Sequence, residues 1–154
     1  VKDSSFDQLI CVAIAKHSDF KLEGIEDERT LLHARLIRDA DKLDNCRVKL
    51  EESMETLLDM DEKTVGASPI SPKVWESCKA EESVLSADRK TGMDYWMSYL
   101  ALYFDINFLE TYQIIKEQDY IRRIAERVPY SREDTKEKVA YTVKKLEEKM
   151  NIHP

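Results

Sequence analysis

Only three glycines and four prolines occur among the 154 residues, too few for the turn-dense connections of an all-β sandwich or barrel. No stretch approaches the roughly 20 consecutive apolar residues of a membrane-spanning helix, and no signal-peptide pattern opens the chain. The three cysteines, Cys11, Cys46 and Cys78, are odd in number and lack C-x-x-C spacing. That argues against a disulfide framework or zinc knuckle and for reduced structural thiols, buried or partly buried, in a cytoplasmic protein. A cationic track is missing as well. Lys and Arg number 24 against 31 Asp and Glu, a net charge of −7, and the two signs interleave, as in "KVAYTVKKLEEK". A nucleic-acid polymer has no basic stripe to follow. There is no glycine-rich phosphate loop, no G-x-S-x-G elbow and no H-E-x-x-H.

What is present is 42% hydrophobic and 36% charged residues, the composition of an all-α protein. The length suits a domain that buries about 70% of its unfolded surface. Phe6, Leu9, Ile10, Ala13, Ile14 and His17 follow helical spacing. They predict a first helix from about Ser5 to His17, capped by Ser4 or Ser5, with His17 at its C-terminal end. After the polar loop "SDFKLEGIED", a second helix is expected over 27–45. Its apolar arc is Leu32, Leu36, Ala40 and Leu43, and Arg35, Arg38 and Lys42 are expected to face water. Residues 46–62 predict a further helix, broken at "TVGAS". Ser71 and Pro72 then open a helix around 74–82. The stretch "MDYWMSYLALYF" at 93–104 is apolar nearly all round, the pattern of a core helix or of one shared with a partner subunit. A long amphipathic helix is expected over 108–128, ended by Pro129, and a last one starts at Ser131 with a capping-box-like S-x-x-D.

The segment "IRDADKLDN" poses the chemical question, because it sets Asp39, Asp41 and Asp44 beside Ile37, Ala40 and Leu43. A carboxylate drawn away from water must be paired, hydrogen-bonded or bound to a cation. Asp41 and Asp39 lie on opposite edges of the apolar arc, and Asp44 falls within it near His33. By spacing alone His17 suits a helix C-terminus, Asp41 a salt-bridged boundary position, and His33 a satisfied border histidine.

The stretch "AIAKHSDFKLEGIEDERTLLHARLIRDADKLDN" resembles the second half of an HD-superfamily metal-dependent phosphohydrolase domain, in which an I-x-x-H helix is followed by a loop and a D-A-D-x-L-D helix. Members of that family hold a metal through a His, an adjacent His-Asp pair and a final Asp in a helical bundle. The resemblance makes Asp41 that final metal ligand and sets His17 near the metal or the substrate phosphate, with Asp39 and Asp44 anchoring helix ends and neighbouring donors. It implies a divalent metal, Mn, Fe, Ni or Mg, and a small phosphorylated substrate such as a nucleotide. The upstream His and the His-Asp pair are absent, because the only histidines are His17, His33 and His153 and none precedes an Asp. The chain also begins Val-Lys-Asp without an initiator methionine and enters a core-like helix at once. The expectation is therefore the C-terminal part of a longer hydrolase, an HD-type bundle incomplete at its N-terminus. Residues 1–62 would be the HD portion and 63–154 a helical continuation packed on it, the piece itself being inactive. The alternative is a non-catalytic helical module that binds a protein partner or a second copy through the aromatic helix, with Trp96 at its centre.

Overall fold

The computed structural model describes Ser4 and residues 6–152, the last without its side chain. His153 and the capping role assigned to Ser5 lie outside the described residues. Among these residues the structure is helical throughout, with no strand, as the composition implies, and no helix is long and apolar enough to cross a membrane.

The first helix, α1 (Asp7–Lys16), runs beside the first half of α2 (Glu28–Glu51). The two are parallel, since Arg29 lies over the Phe6 ring at one end and Arg38 reaches the carbonyls of Lys16 and His17 at the other. Residues 18–27 return along one flank. Asp27 caps α2 by accepting the Thr30 N–H at 2.7 Å. The helix then continues past the break expected after Asn45, because no glycine or proline interrupts it and the Asn45 amide folds back onto the Asp41 carbonyl at 2.9 Å. It ends only where Glu52 and Ser53 turn extended.

Two short helices follow, α3 (Met54–Leu58) and α4 (Glu62–Ala67). "TVGAS", expected as a break, lies largely inside α4, capped by Asp61 accepting from Thr64 N–H. Gly66 is needed for proximity rather than for a bend: a Cβ there would stand 2.8 Å from the Pro129 carbonyl carbon. The next helix, α5 (Pro72–Lys79), starts with Ser71 at the cap and Pro72 at the first helical position, as the sequence indicates.

The aromatic helix α6 (Gly92–Ala101) is the centre of the core. Met93, Trp96, Met97 and Leu100 are all fully buried, and α4, α5, α8 and α9 pack around it. Trp96 is therefore core and presents nothing to a partner, unlike the alternative that placed it at an interface. Asp94, also fully buried, accepts from the Ser71 N–H (2.7 Å), the Ser71 hydroxyl (2.5 Å) and the Lys90 and Thr91 N–H groups. One carboxylate thus ties the start of α5 to the start of α6.

The single helix expected over 108–128 is two, α7 (Leu109–Glu117) and α8 (Tyr120–Ala125). Between them Asp119 adopts φ 51°, a left-handed conformation that ends a helical run. The last helix, α9 (Glu133–Ile152), buries Val139, Leu146 and Met150 against α6, α7 and α8.

The wheel drawn for α2 is turned from the one expected. Its buried residues are Ala34, Arg38, Asp39, Lys42, Cys46 and Lys49, whereas Leu32 and Leu36 are 52% and 53% exposed. Ala40 is exposed too, and Leu43 alone of the expected arc packs against the core. Arg38 and Lys42, expected in water, are only 6% and 5% exposed.

Candidate functional site

Burial of two cations on α2 follows from a partner far along the chain. After α6 and a short 3-10 turn, Asp105 sits where its carboxylate accepts from Arg38 at 2.8 Å and from Lys42 at 2.9 Å, and its main-chain carbonyl accepts a further hydrogen bond from Lys42. Burial alone would raise the Asp105 pKa, but the hydrogen bonds and charges of Lys42 and Arg38 outweigh it and hold the group below the usual carboxylate value. Burial in turn pulls the Lys42 pKa down, against the raising influence of Asp105. The other Arg38 nitrogen donates to the carbonyls of Asp19 (2.6 Å) and His17 (3.2 Å), satisfying acceptors left over at the C-terminal end of α1.

The carboxylate that is buried is Asp39, not Asp41. At 1% exposure, Asp39 accepts from the Asn107 N–H (3.0 Å), the Asn107 side-chain amide (2.8 Å) and the Phe108 N–H (2.9 Å). It supplies from outside the cap that α7 lacks in its own sequence, since Phe108 at the cap position has no side-chain acceptor. Asp44 is exposed and pairs with Arg47 at 3.0 Å.

Asp41 is exposed, with Asn45 as its neighbour at 3.2 Å. His17 is half-buried and caps its own helix: its Nδ1 lies 2.6 Å from the Ile14 carbonyl. A carbonyl can only accept, so Nδ1 carries a proton and donates it. The two residues singled out by sequence, 24 positions apart, meet on the wall of one cavity of about 420 Å³ between the end of α1, α2 and α6. Arg38, Lys42, Asp105, Arg89, Ser98 and Tyr99 line it as well.

Sequence reading missed Arg89. Its guanidinium lies over the Tyr95 ring, 4.6 Å from the centroid, and its buried Nε has no hydrogen-bond partner. Among the described residues it makes no ion pair, whereas Asp19 is held by Lys16 and Asp105 is shared by two cations. The cavity is therefore lined by one guanidinium that makes no ion pair among the described residues, one imidazole and one exposed carboxylate.

That set suits a polar, anionic group better than a bare metal. His17 and Asp41 are two donors, and among the described residues no group of three His, Cys, Asp or Glu is placed to hold a metal ion. The donors present do not complete a centre of the kind the resemblance implies. Thiol nucleophiles are likewise absent from the cavity: burial pushes the Cys46 thiol up to about 11 and that of Cys78 up to about 12, and Cys11 is exposed elsewhere on α1. No protein-family model, curated protein or solved structure matches this chain.

Proposed function

We propose that this chain is the substrate-phosphate side of an HD-type phosphohydrolase acting on a small phosphorylated molecule such as a nucleotide. The observation that carries the reading is the convergence on one cavity of His17, Asp41 and Arg89, whose Nε has no hydrogen-bond partner. In this reading the Arg89 guanidinium takes up phosphate oxygens by charge-assisted hydrogen bonds. Arg38 and Lys42, already neutralised in part by Asp105, add positive charge to the lining without closing on the ligand. His17 lines the same space, its ring orientation fixed by the Nδ1 bond to the Ile14 carbonyl. Asp41 repels a free phosphate, so it is the group that calls for a cation, and the donors completing such a set are not among the described residues.

Titration of the protein with inorganic phosphate and with adenosine monophosphate, followed by calorimetry and by amide chemical shifts, tests the reading. The expected result is binding that perturbs residues around 17, 41 and 89 and weakens by about tenfold in Arg89→Gln, the loss of about 1.4 kcal/mol of charge-assisted contact. No binding at millimolar ligand, or binding that Arg89→Gln leaves unchanged, overturns it. A second reading, a non-catalytic interaction module, is favoured by one observation: the large apolar side chains exposed on α1 and α2.

A further inference from the structure

Five of the ten large hydrophobic residues exposed among the described residues, Phe6, Ile10, Ile14, Leu32 and Leu36, lie on the α1–α2 pair, each 41–55% exposed. Of the helices, only α2 packs substantially against α1, and Ala13 is the one α1 residue fully buried. The return loop covers one flank, where Leu9 and Val12 line a recess with residues 24–27. Ile10 and Ile14, about 100° or more round the helix from them, belong to the other flank. That open flank adjoins the α2 arc made by Arg29, His33, Leu36, Ile37, Ala40 and Asp44, which spans about 100° of the helix at 100° per residue.

We infer that this arc is a two-fold interface between two copies of the chain. The set is self-complementary. A two-fold axis passing between Leu36 and Ile37, with the two α2 helices antiparallel, sets Leu36 against Ile37 of the second copy. It also sets His33 against Ala40 and Arg29 against Asp44. An isologous contact requires such reciprocity, each residue meeting its counterpart in both directions. Arg29 makes no ion pair among the described residues and rests on Phe6; Asp44, 64% exposed, holds only a surface pair with Arg47 one turn along its own helix, a contact weak enough to be shared with the Arg29 of a facing copy. The size sets the strength of the contact. At about half exposure Leu36, Ile10 and Ile14 present roughly 300 Å² of apolar surface, below the apolar share of the ~800 Å² per partner in a standard interface and on the scale of a weak, concentration-dependent contact. Ile10 and Ile14 extend the apolar centre onto α1, and the charged ends of the arc form its rim.

This inference deepens the interaction-module reading and is independent of phosphate binding at the cavity. Sedimentation of the 154-residue chain across micromolar to several hundred micromolar concentration tests it, with folding of each variant checked by circular dichroism. The expected result is a monomer–dimer equilibrium that Leu36→Asp, a change at an exposed position, weakens by at least about tenfold, the loss of an apolar anchor at an interface centre. Arg29→Asp and Asp44→Arg each weaken it by several-fold, and the double variant, which restores both pairs with their signs exchanged, recovers most of the loss. A protein monomeric at every concentration overturns the dimer while leaving the interaction-module reading standing with a different protein as its partner. A dimer indifferent to Leu36→Asp, or charge variants with no recovery in the double, overturns the two-fold arrangement alone.

Discussion

Asp39→Ala is the sharpest test of how this fold is held. The Asp39 carboxylate is 1% exposed and satisfies three donors at the start of α7, the main-chain N–H groups of Asn107 and Phe108 and the Asn107 amide. Hydrogen bonds to a charged group contribute about 1.5–3 kcal/mol each, and a buried donor left without an acceptor costs about 1–3 kcal/mol. The Asn107 side chain is exposed and can turn to water, so the loss falls mainly on the two main-chain donors. Asp39 also supports the charge of Lys42, whose burial then goes less compensated. Together these give a destabilisation of about 3–5 kcal/mol. For a chain of this size 1 kcal/mol corresponds to about 2–4 °C in Tm, so thermal unfolding followed by circular dichroism falls by about 10 °C. Asp39→Asn, which keeps the shape and one acceptor oxygen but turns an amide nitrogen toward the same donors, falls between wild type and Asp39→Ala. In native-state exchange the Asn107 and Phe108 amides lose protection first. An Asp39→Ala protein within about 1 kcal/mol of wild type would refute the argument that this carboxylate caps α7.

Asp41→Ala is the matched control: its side chain is exposed and meets only Asn45, so urea midpoints stay within about 0.5 kcal/mol of wild type. Gly66→Ala brings a methyl group onto the Pro129 main chain and costs about 1–3 kcal/mol or more in urea unfolding, since backbone must yield. Trp96→Ala removes the largest fully buried side chain and lowers stability by about 3–5 kcal/mol; where the variant still folds, association of two copies is unchanged. Acid titration carries a sign. The Asp105 pKa is held below its unfolded value, so its contribution is present above the unfolded value near pH 4 and is lost as pH falls through the lower folded value. The acid limb of a stability–pH curve is correspondingly shallower in Asp105→Asn, which has already lost that contribution at neutral pH.

The helical class and the main local signals were legible without coordinates. Apolar spacing placed α1 and set His17 at its end, the Ser-Pro pair marked the start of α5, and the all-round apolar pattern of residues 93–104 identified the central core helix. The role of Asp39 as an anchor for neighbouring donors was also anticipated. The face of α2 was misread because hydrophobicity was taken to decide what is buried. Leu32 and Leu36 are exposed, while Arg38 and Lys42 enter the interior on account of Asp105, some 63–67 residues later. A signal for this existed in the spacing Ala34, Arg38, Lys42, Cys46, a stripe at every fourth position whose small members admit close packing and whose long stems can be covered. Nothing local announces the left-handed turn at Asp119, since most such positions are glycine. Gly66 illustrates the reverse error: it reads as a helix breaker, yet it serves the approach of a loop more than 60 residues distant. Arg89 was invisible because its significance lies in the absence of an ion pair and of a hydrogen-bond partner for its Nε, which no sequence pattern records.

The Arg38 guanidinium works as a clasp. One end grips the last carbonyls of α1 and the following turn, the other the Asp105 carboxylate beyond α6, and among the helices α1 otherwise packs substantially against α2 alone. Helix α1 and its return loop are thus a unit whose opening must break both the clasp and the packing along α2, while the core around Trp96 stays closed. Its amides will exchange with solvent through that local opening ahead of global unfolding, and release of the clasp is part of the event that would uncover the cavity wall bearing His17.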